Sequence, residues 1–189
     1  MANNTANITA TTPRSEGEFF RAILGTEIPE DAKTALAEPF KLQGYTDEDG
    51  FTVTQERETT DKKAYGGVTV YTTQDSYGVT LQVTVLETMN VETKKTAFGD
   101  ENVTQDEITG IIKTRYNSKR LPNSVFIADH LTDQGFKRQI IENGLVTSVG
   151  DIQHVHNEMV KYQLTITAYP NADGDYMVEL DEPLVAPTP

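Results

Sequence analysis

The 189-residue sequence contains no cysteine and no tryptophan. The first absence excludes a disulfide framework, a thiolate metal site and a cysteine nucleophile. The second removes tryptophan, an aromatic platform that polysaccharide sites normally offer. Basic side chains are scarce as well: 16 Lys and Arg stand against 29 Asp and Glu, a formal net charge of −13. A chain of that sign repels phosphate, and it has no Lys/Arg stripe with which to neutralise a nucleic-acid backbone. The pairs Lys94-Lys95, Lys119-Arg120 and Lys137-Arg138 are isolated and read as solvated surface charges. No stretch is apolar enough to span a bilayer, and Met1–Thr9 has neither the basic nor the apolar region of a secretory signal. The expectation is a soluble protein made in the cytoplasm, with no membrane partner.

Motifs for chemistry are equally thin. There is no Gly-x-Ser-x-Gly elbow, no Gly-x-x-x-x-Gly-Lys-Ser/Thr loop and no Gly-x-Gly-x-x-Gly turn. His154 and His156 would share one side of a strand, which is how a zinc or copper site begins, but His130 is the only other histidine and no third ligand is identifiable. A polar turn is the simpler reading. The clusters Asp47-Glu48-Asp49 and Asp173-Gly174-Asp175 offer hard oxygen ligands suited to calcium, yet neither fits an EF-hand loop, and ordinary solvated turns are the favoured reading. No catalytic residue, cofactor or metal is therefore assigned.

What is present is period-two alternation. In Gly78–Glu87 the residues Val79, Leu81, Val83 and Val85 fall on one face and Thr80, Gln82 and Thr84 on the other, the signature of a half-buried strand. Gly67–Thr73 alternates similarly, and Gln74–Gly78 supplies turn residues, so an antiparallel hairpin is predicted there. Met159–Tyr169 is a second clear strand, closed by the turn Pro170–Asp175, with Tyr176–Leu180 predicted to return against it. Weaker strands are expected at Gly17–Leu24, Phe40–Tyr45, Phe51–Glu58, Ile108–Tyr116, Ser124–His130 and Leu145–Val149. One short helix is predicted within Glu87–Gly99, and a further helical turn near Pro29–Ala37. The segment 46–66 is crowded with Asp47, Glu48, Asp49, Glu56, Arg57, Glu58 and Asp61 and reads as a long charged loop. Residues 1–15 and 182–189 have too little apolar surface to fold alone and read as arms flanking a single β domain at 16–181.

Taken in order, these segments resemble the tail tube (major tail) protein family of siphophages, especially those infecting actinobacteria. The resemblance rests on Phe20–Ala32, Phe40–Gly50, Tyr65–Val70, the Thr80–Glu87 strand with its following helix, and Val149–Ile152 with Tyr162–Pro170. It implies an antiparallel β-sandwich or small barrel with one flanking α-helix. It also implies homohexameric rings stacked into a tube through which the genome leaves the virion. Partners implied with it are further copies of the chain, the tape measure protein, the tail terminator and the distal tail protein, with DNA passing unbound. Under this reading Asp47, Glu48, Asp49, Glu56, Arg57, Glu58 and Asp61 belong to an inter-subunit loop, and Thr80, Gln82 and Thr84 face the channel. The charge excess further predicts an acidic channel wall. A glycan-binding or glycan-hydrolysing sandwich and another virion structural protein, such as a capsid decoration protein, are the competing classes.

Overall fold

The structure, a computed structural model, describes residue 3 and residues 5–184. A 3-10 turn at Thr5–Asn7 precedes strands β1 (Thr11–Pro13), β2 (Phe19–Ile23), β3 (Lys41–Leu42), β4 (Thr46–Lys63) and β5 (Thr69–Val85). Helix α1 (Val91–Phe98) and the small ribbon of β6 (Val103–Gln105) and β7 (Ile112–Thr114) come next. The chain then forms β8 (Ser124–Thr132), β9 (Gly135–Val149), β10 (Tyr162–Ala168) and β11 (Val178–Pro183). All pairings are antiparallel, and the main sheet runs β3-β2-β8-β9-β10-β5-β4, with β1 beside β8 and β11 beside β9.

This sheet curls on itself because β9 serves two layers. Its first half pairs with β8 and β11, and its second half with β10. At the crossing, Gly144 leaves no room for a side chain: a Cβ there would lie 2.7 Å from the Phe126 ring and 3.0 Å from Ile166. The inner faces meet in one core of Val79, Leu81, Val83 and Val85 from β5, Leu164 and Ile166 from β10, Phe126 from β8 and Phe19 from β2. Each such side chain contributes about 1.5–3 kcal/mol on burial. Phe51 of β4 closes the far edge by packing edge-on against Phe19 at 5.8 Å and against His130 at 5.0 Å between ring centroids. The outer face of β2 and β8 is apolar too, and the segment between β2 and β3 covers it, bringing Ile28, Leu36 and Phe40 onto Phe20, Val125 and Ile127.

That covering segment is held by charge. Asp129 and Arg138 sit directly opposite each other on β8 and β9, with Arg138 Nε donating to Oδ1 at 2.7 Å and Nη2 to Oδ2 at 2.6 Å. Arg14 Nη1 donates to the same Oδ2 at 3.1 Å. The two guanidinium groups also donate to the carbonyls of Asp31, Ala32, Lys33 and Thr34, and Arg14 Nε to the Glu16 carboxylate. Glu182 completes the clamp by accepting from the N–H groups of Ala32 and Lys33.

Several expectations change here. The predicted hairpin turn at Gln74–Gly78 lies inside the single long strand β5, because Asp75 is the extra residue of a bulge between the Glu58↔Ser76 and Thr59↔Gln74 pairs. The actual turn is at 64–68, where Gly66 and Gly67 adopt φ of 101° and 90°. The charged loop expected at 46–66 is β4 followed by that turn. Strand β11 pairs with β9 and not with β10. The helical turn expected at Pro29–Ala37 is irregular, since its backbone groups are taken by Arg14, Arg138 and Glu182. Helix α1 forms as expected, capped by the Asn90 side chain and ended at Gly99. The arms are shorter than expected: Thr11–Pro13 pairs with β8, Arg14 is buried, and Glu182 and Pro183 belong to β11. Of the arm residues, 1, 2, 4 and 185–189 lie outside the described residues. Arg138, read as a solvated charge, is 0% exposed.

Two predictions follow from the buried charges. Asp129→Ala leaves two buried guanidinium groups without their counter-charge and is expected to lower the unfolding free energy by about 3–5 kcal/mol, read from the urea midpoint. A loss below about 1 kcal/mol, ordinary for exposed pairs, contradicts the clamp. For pH, burial holds the His130 imidazole below its usual 6.5. Burial alone would raise Asp100 and Glu179, but Arg21 and Lys137 outweigh it and lower both. All three groups bind fewer protons folded than unfolded, so stability is full above about pH 6.5 and falls on acidification, first through His130 and then through the carboxylates. His130→Gln should abolish the decline that sets in below about pH 6.5 while keeping the one in the carboxylate range; an unchanged upper decline overturns the assignment.

Candidate functional site

The register of β5 sorts its side chains into a core face and an outer face, and the outer face continues across neighbouring strands. One row is Thr52, Gln82, Thr165 and Ser148; the next is Thr54, Thr80, Thr167 and Leu145; Thr84 pairs with Gln163 beyond them. Thr147, extra in β9, hydrogen-bonds the Thr167 hydroxyl at 3.0 Å. The structure thus brings Thr80, Gln82 and Thr84 together on a broad hydroxyl and amide face with no charged side chain in these rows. The acids of this region lie elsewhere along β4.

Strand β4 separates the seven charged residues that looked like one loop. Asp47, Glu48 and Asp49 belong to a wide bulge in which residues 47–50 stand against Thr84 alone. Glu56, Arg57, Glu58 and Asp61 lie on the other half of the strand, where β4 and β5 run past the end of β10, which reaches only Val79. From Glu56 to Lys63 this two-stranded arm extends about 25 Å at roughly 3.3 Å per residue. Its residues are exposed on both faces apart from half-buried Thr73 and the root at Tyr77 and Gly78. There Arg57 stacks 4.3 Å from the Tyr77 ring centroid, and Tyr77 packs edge-on against Tyr176. Across the arm Ser76 donates to Glu58 and Thr72 to Asp61. A two-stranded hairpin of this kind is marginal by itself. At its tip Tyr65, Val68, Val70 and Tyr71 are between 64% and 109% exposed.

At the opposite end of β4 the bulge walls a groove of about 730 Å³, shared with β1, the turn after it, β3 and the end of β8. Six acids line it, Glu16, Glu18, Asp47, Glu48, Asp49 and Glu87, against Arg14 and Lys137. Both bases are engaged, Arg14 with Asp129 and Glu16, and Lys137 with Glu179 and Asp181. Glu18 accepts from the Thr46 N–H and hydroxyl, and Glu87 from the Tyr45 N–H and Asn90. Lys161 bonds Asp47 at 2.5 Å and holds its carboxyl below the usual range. Glu48 and Asp49 are exposed. Sequence reasoning missed Glu16, Glu18 and Glu87 as members of this wall, because only the pairing of β1 and the turn at Gly44 bring them beside the bulge.

His154 and His156 lie exposed in the irregular stretch between β9 and β10, so the shared strand face on which a metal site was considered does not exist. Among the described residues no group of three or more His, Asp or Glu is placed to hold a metal ion, and no helix is long and apolar enough to cross a membrane.

Among solved structures the chain is similar to the tube-terminating cap of the anti-feeding prophage, with a TM-score of 0.47 and 8% identity over 96% of this chain and 100% of that one. It is also similar to a chain in the virion of a native gene transfer agent particle, with a TM-score of 0.40 and 13% identity over 82% and 93% of the two chains. A chain in the tail of the empty gene transfer agent particle gives a TM-score of 0.41 with the same identity and coverage. No curated protein matches the chain. The model of the phage tail tube protein family matches residues 1–187, and the chain belongs to that family.

Proposed function

We propose that the chain is a structural, non-catalytic virion protein that polymerises with itself into the phage tail tube, the conduit for genome ejection. The observation that carries this reading is the match to the tail tube family over residues 1–187. The arm supports it, because a hairpin exposed on both faces with apolar side chains at its tip gains its missing contacts from another copy. The resemblance implies rings of six stacked along the tube, with a tape measure protein inside and a terminator and distal tail protein at its ends. Asp47, Glu48, Asp49, Glu56, Arg57, Glu58 and Asp61 then serve contacts between subunits.

Within that tube Thr80, Gln82 and Thr84 face the channel. The wall they build is uncharged, with hydroxyl and amide groups that hold water. Such a surface offers duplex DNA no cation through which counterion release would hold it at each ring. It acts by withholding attraction, while the acids of the arm and bulge stay at subunit junctions.

The test is the triple variant T80K/Q82K/T84K, followed by electron microscopy of the purified chain and by ejection kinetics of virions built from it. Tubes are expected from both the unaltered and the triple-lysine chain, with slower ejection from the latter. Isolated monomers from the unaltered chain contradict the polymer reading. Normal ejection with three added lysines per subunit contradicts the channel assignment alone.

A further inference from the structure

One small unit of this acidic chain has the opposite sign. Residues 103–123 carry four bases, Lys113, Arg115, Lys119 and Arg120, against two acids, Asp106 and Glu107, a balance of +2 in a chain whose total is −13. Resting on the tube reading, we propose that this unit, the β6–β7 ribbon with the loop after it, seats on the acidic groove of a second copy. Lys113 and Arg115 then meet Glu48 and Asp49.

The ribbon is built to present one face. Val103 is buried and pairs with half-buried Thr114. Side chains alternate along a strand, so Ile111, Lys113 and Arg115 turn outward, and all three are exposed. The turn at the tip is fixed by Asp106, whose carboxylate accepts from the N–H groups of Ile108 and Thr109 at 2.9 and 2.8 Å. Ile108 is thereby held in water, 96% exposed. At the base, Asn117 Nδ2 donates to Asn102 Oδ1 at 2.7 Å, and Asn102 Nδ2 to the Phe98 carbonyl at 2.7 Å. Tyr116 packs 4.8 Å from the Phe98 ring centroid. A surface ordered before it binds loses little entropy on binding.

The two surfaces complement each other. Lys119 is taken by Glu101 at 3.0 Å, whereas Lys113 and Arg115 make no side-chain hydrogen bond or ion pair among the described residues. The carboxylates of Glu48 and Asp49 are in the same state, so neither set meets the other within one chain. The groove holds six carboxylates against two bases that are already ion-paired. Beside them Leu42 and Tyr45, 41% and 75% exposed, offer apolar surface to Ile108 and Ile111. Chains of like charge repel until they approach within a Debye length of about 8 Å, and a local face of opposite sign is what lets them approach. Helix α1, which carries the ribbon, packs through Ala97 on the core side of β5 and β10. The contact therefore leaves the outer face of Thr80, Gln82 and Thr84 open. Ribbon and groove are different patches on identical chains, so the contact is heterologous and gives a ring where its rotation closes.

Charge exchange and cross-linking test this together. K113E/R115E and E48K/D49K replace only exposed side chains, so each should keep the circular dichroism spectrum and melting temperature of the unaltered chain while forming no tubes in electron micrographs. The fourfold variant K113E/R115E/E48K/D49K should regain them. Carbodiimide joins an amine to a carboxylate with loss of water. Applied to tubes grown from an equal mixture of isotope-labelled and unlabelled unaltered chain, it should link Lys113 to Glu48 or Asp49 in peptides of mixed label. Three results overturn the docking assignment and leave the tube reading standing: tubes from K113E/R115E equal to those of the unaltered chain, no recovery in the fourfold variant, or no mixed-label link from Lys113 to these acids. An unaltered chain that forms no tubes overturns both.

Discussion

The register of β5 is the constraint on which the rest depends. Val79, Leu81, Val83 and Val85 are each at most 2% exposed, and slipping the strand by one residue would turn all four outward and bury threonines in their place. Fixing them fixes Thr80, Gln82 and Thr84 on the outer face. It also fixes how much strand is left over. Ala168 of β10 stops opposite Val79, so the preceding residues of β5 have only β4 for a neighbour. The polar face and the arm are two consequences of one pairing.

A second, costlier device holds the opposite layer. The outer face of β2 and β8 is apolar and must be covered, and the segment that covers it is irregular, with backbone groups that no sheet satisfies. Arg14, Asp129, Arg138 and Glu182 supply those partners. Buried ion pairs of this kind bring little net stability over an apolar replacement. Their contribution here is to fix where the covering segment and the strands β1 and β11 lie, which also positions the turn after β1 as one wall of the acidic groove.

The sequence revealed the elements that bury a face. The alternation in Gly78–Glu87 and Met159–Tyr169 was legible because each has apolar residues at its own period, and the helix before Gly99 because of the glycine that ends it, although the face it buries is Thr93, Thr96 and Ala97. The arm was legible only in part: Phe51–Glu58 and Gly67–Thr73 read as strands, but Thr59, Thr60, Asp61 and Lys62 carry no alternating apolar signal because they bury nothing in their own chain. The turn-forming residues Gln74–Gly78 marked a bulge, and the bare Gly66-Gly67 pair held the turn. Asp129 and Arg138 had a signal that composition obscured. They continue the alternation of Val125, Ile127 and Ile140, opposite charges at core positions of adjacent strands. The charged residues of 46–66 were singled out as one group, but a strand 18 residues long divides them between two distant surfaces.

The central claim is that the arm completes its packing on another copy of the chain. Hydrogen exchange of the backbone amides in Gln55–Lys63 and Thr69–Tyr77 measures this directly, because a hairpin without further support opens at little cost. The account predicts fast exchange there in the monomer and strong protection once the chain is assembled, while Leu81–Val85 is protected in both. Equally fast exchange of the arm in monomer and assembly would contradict it.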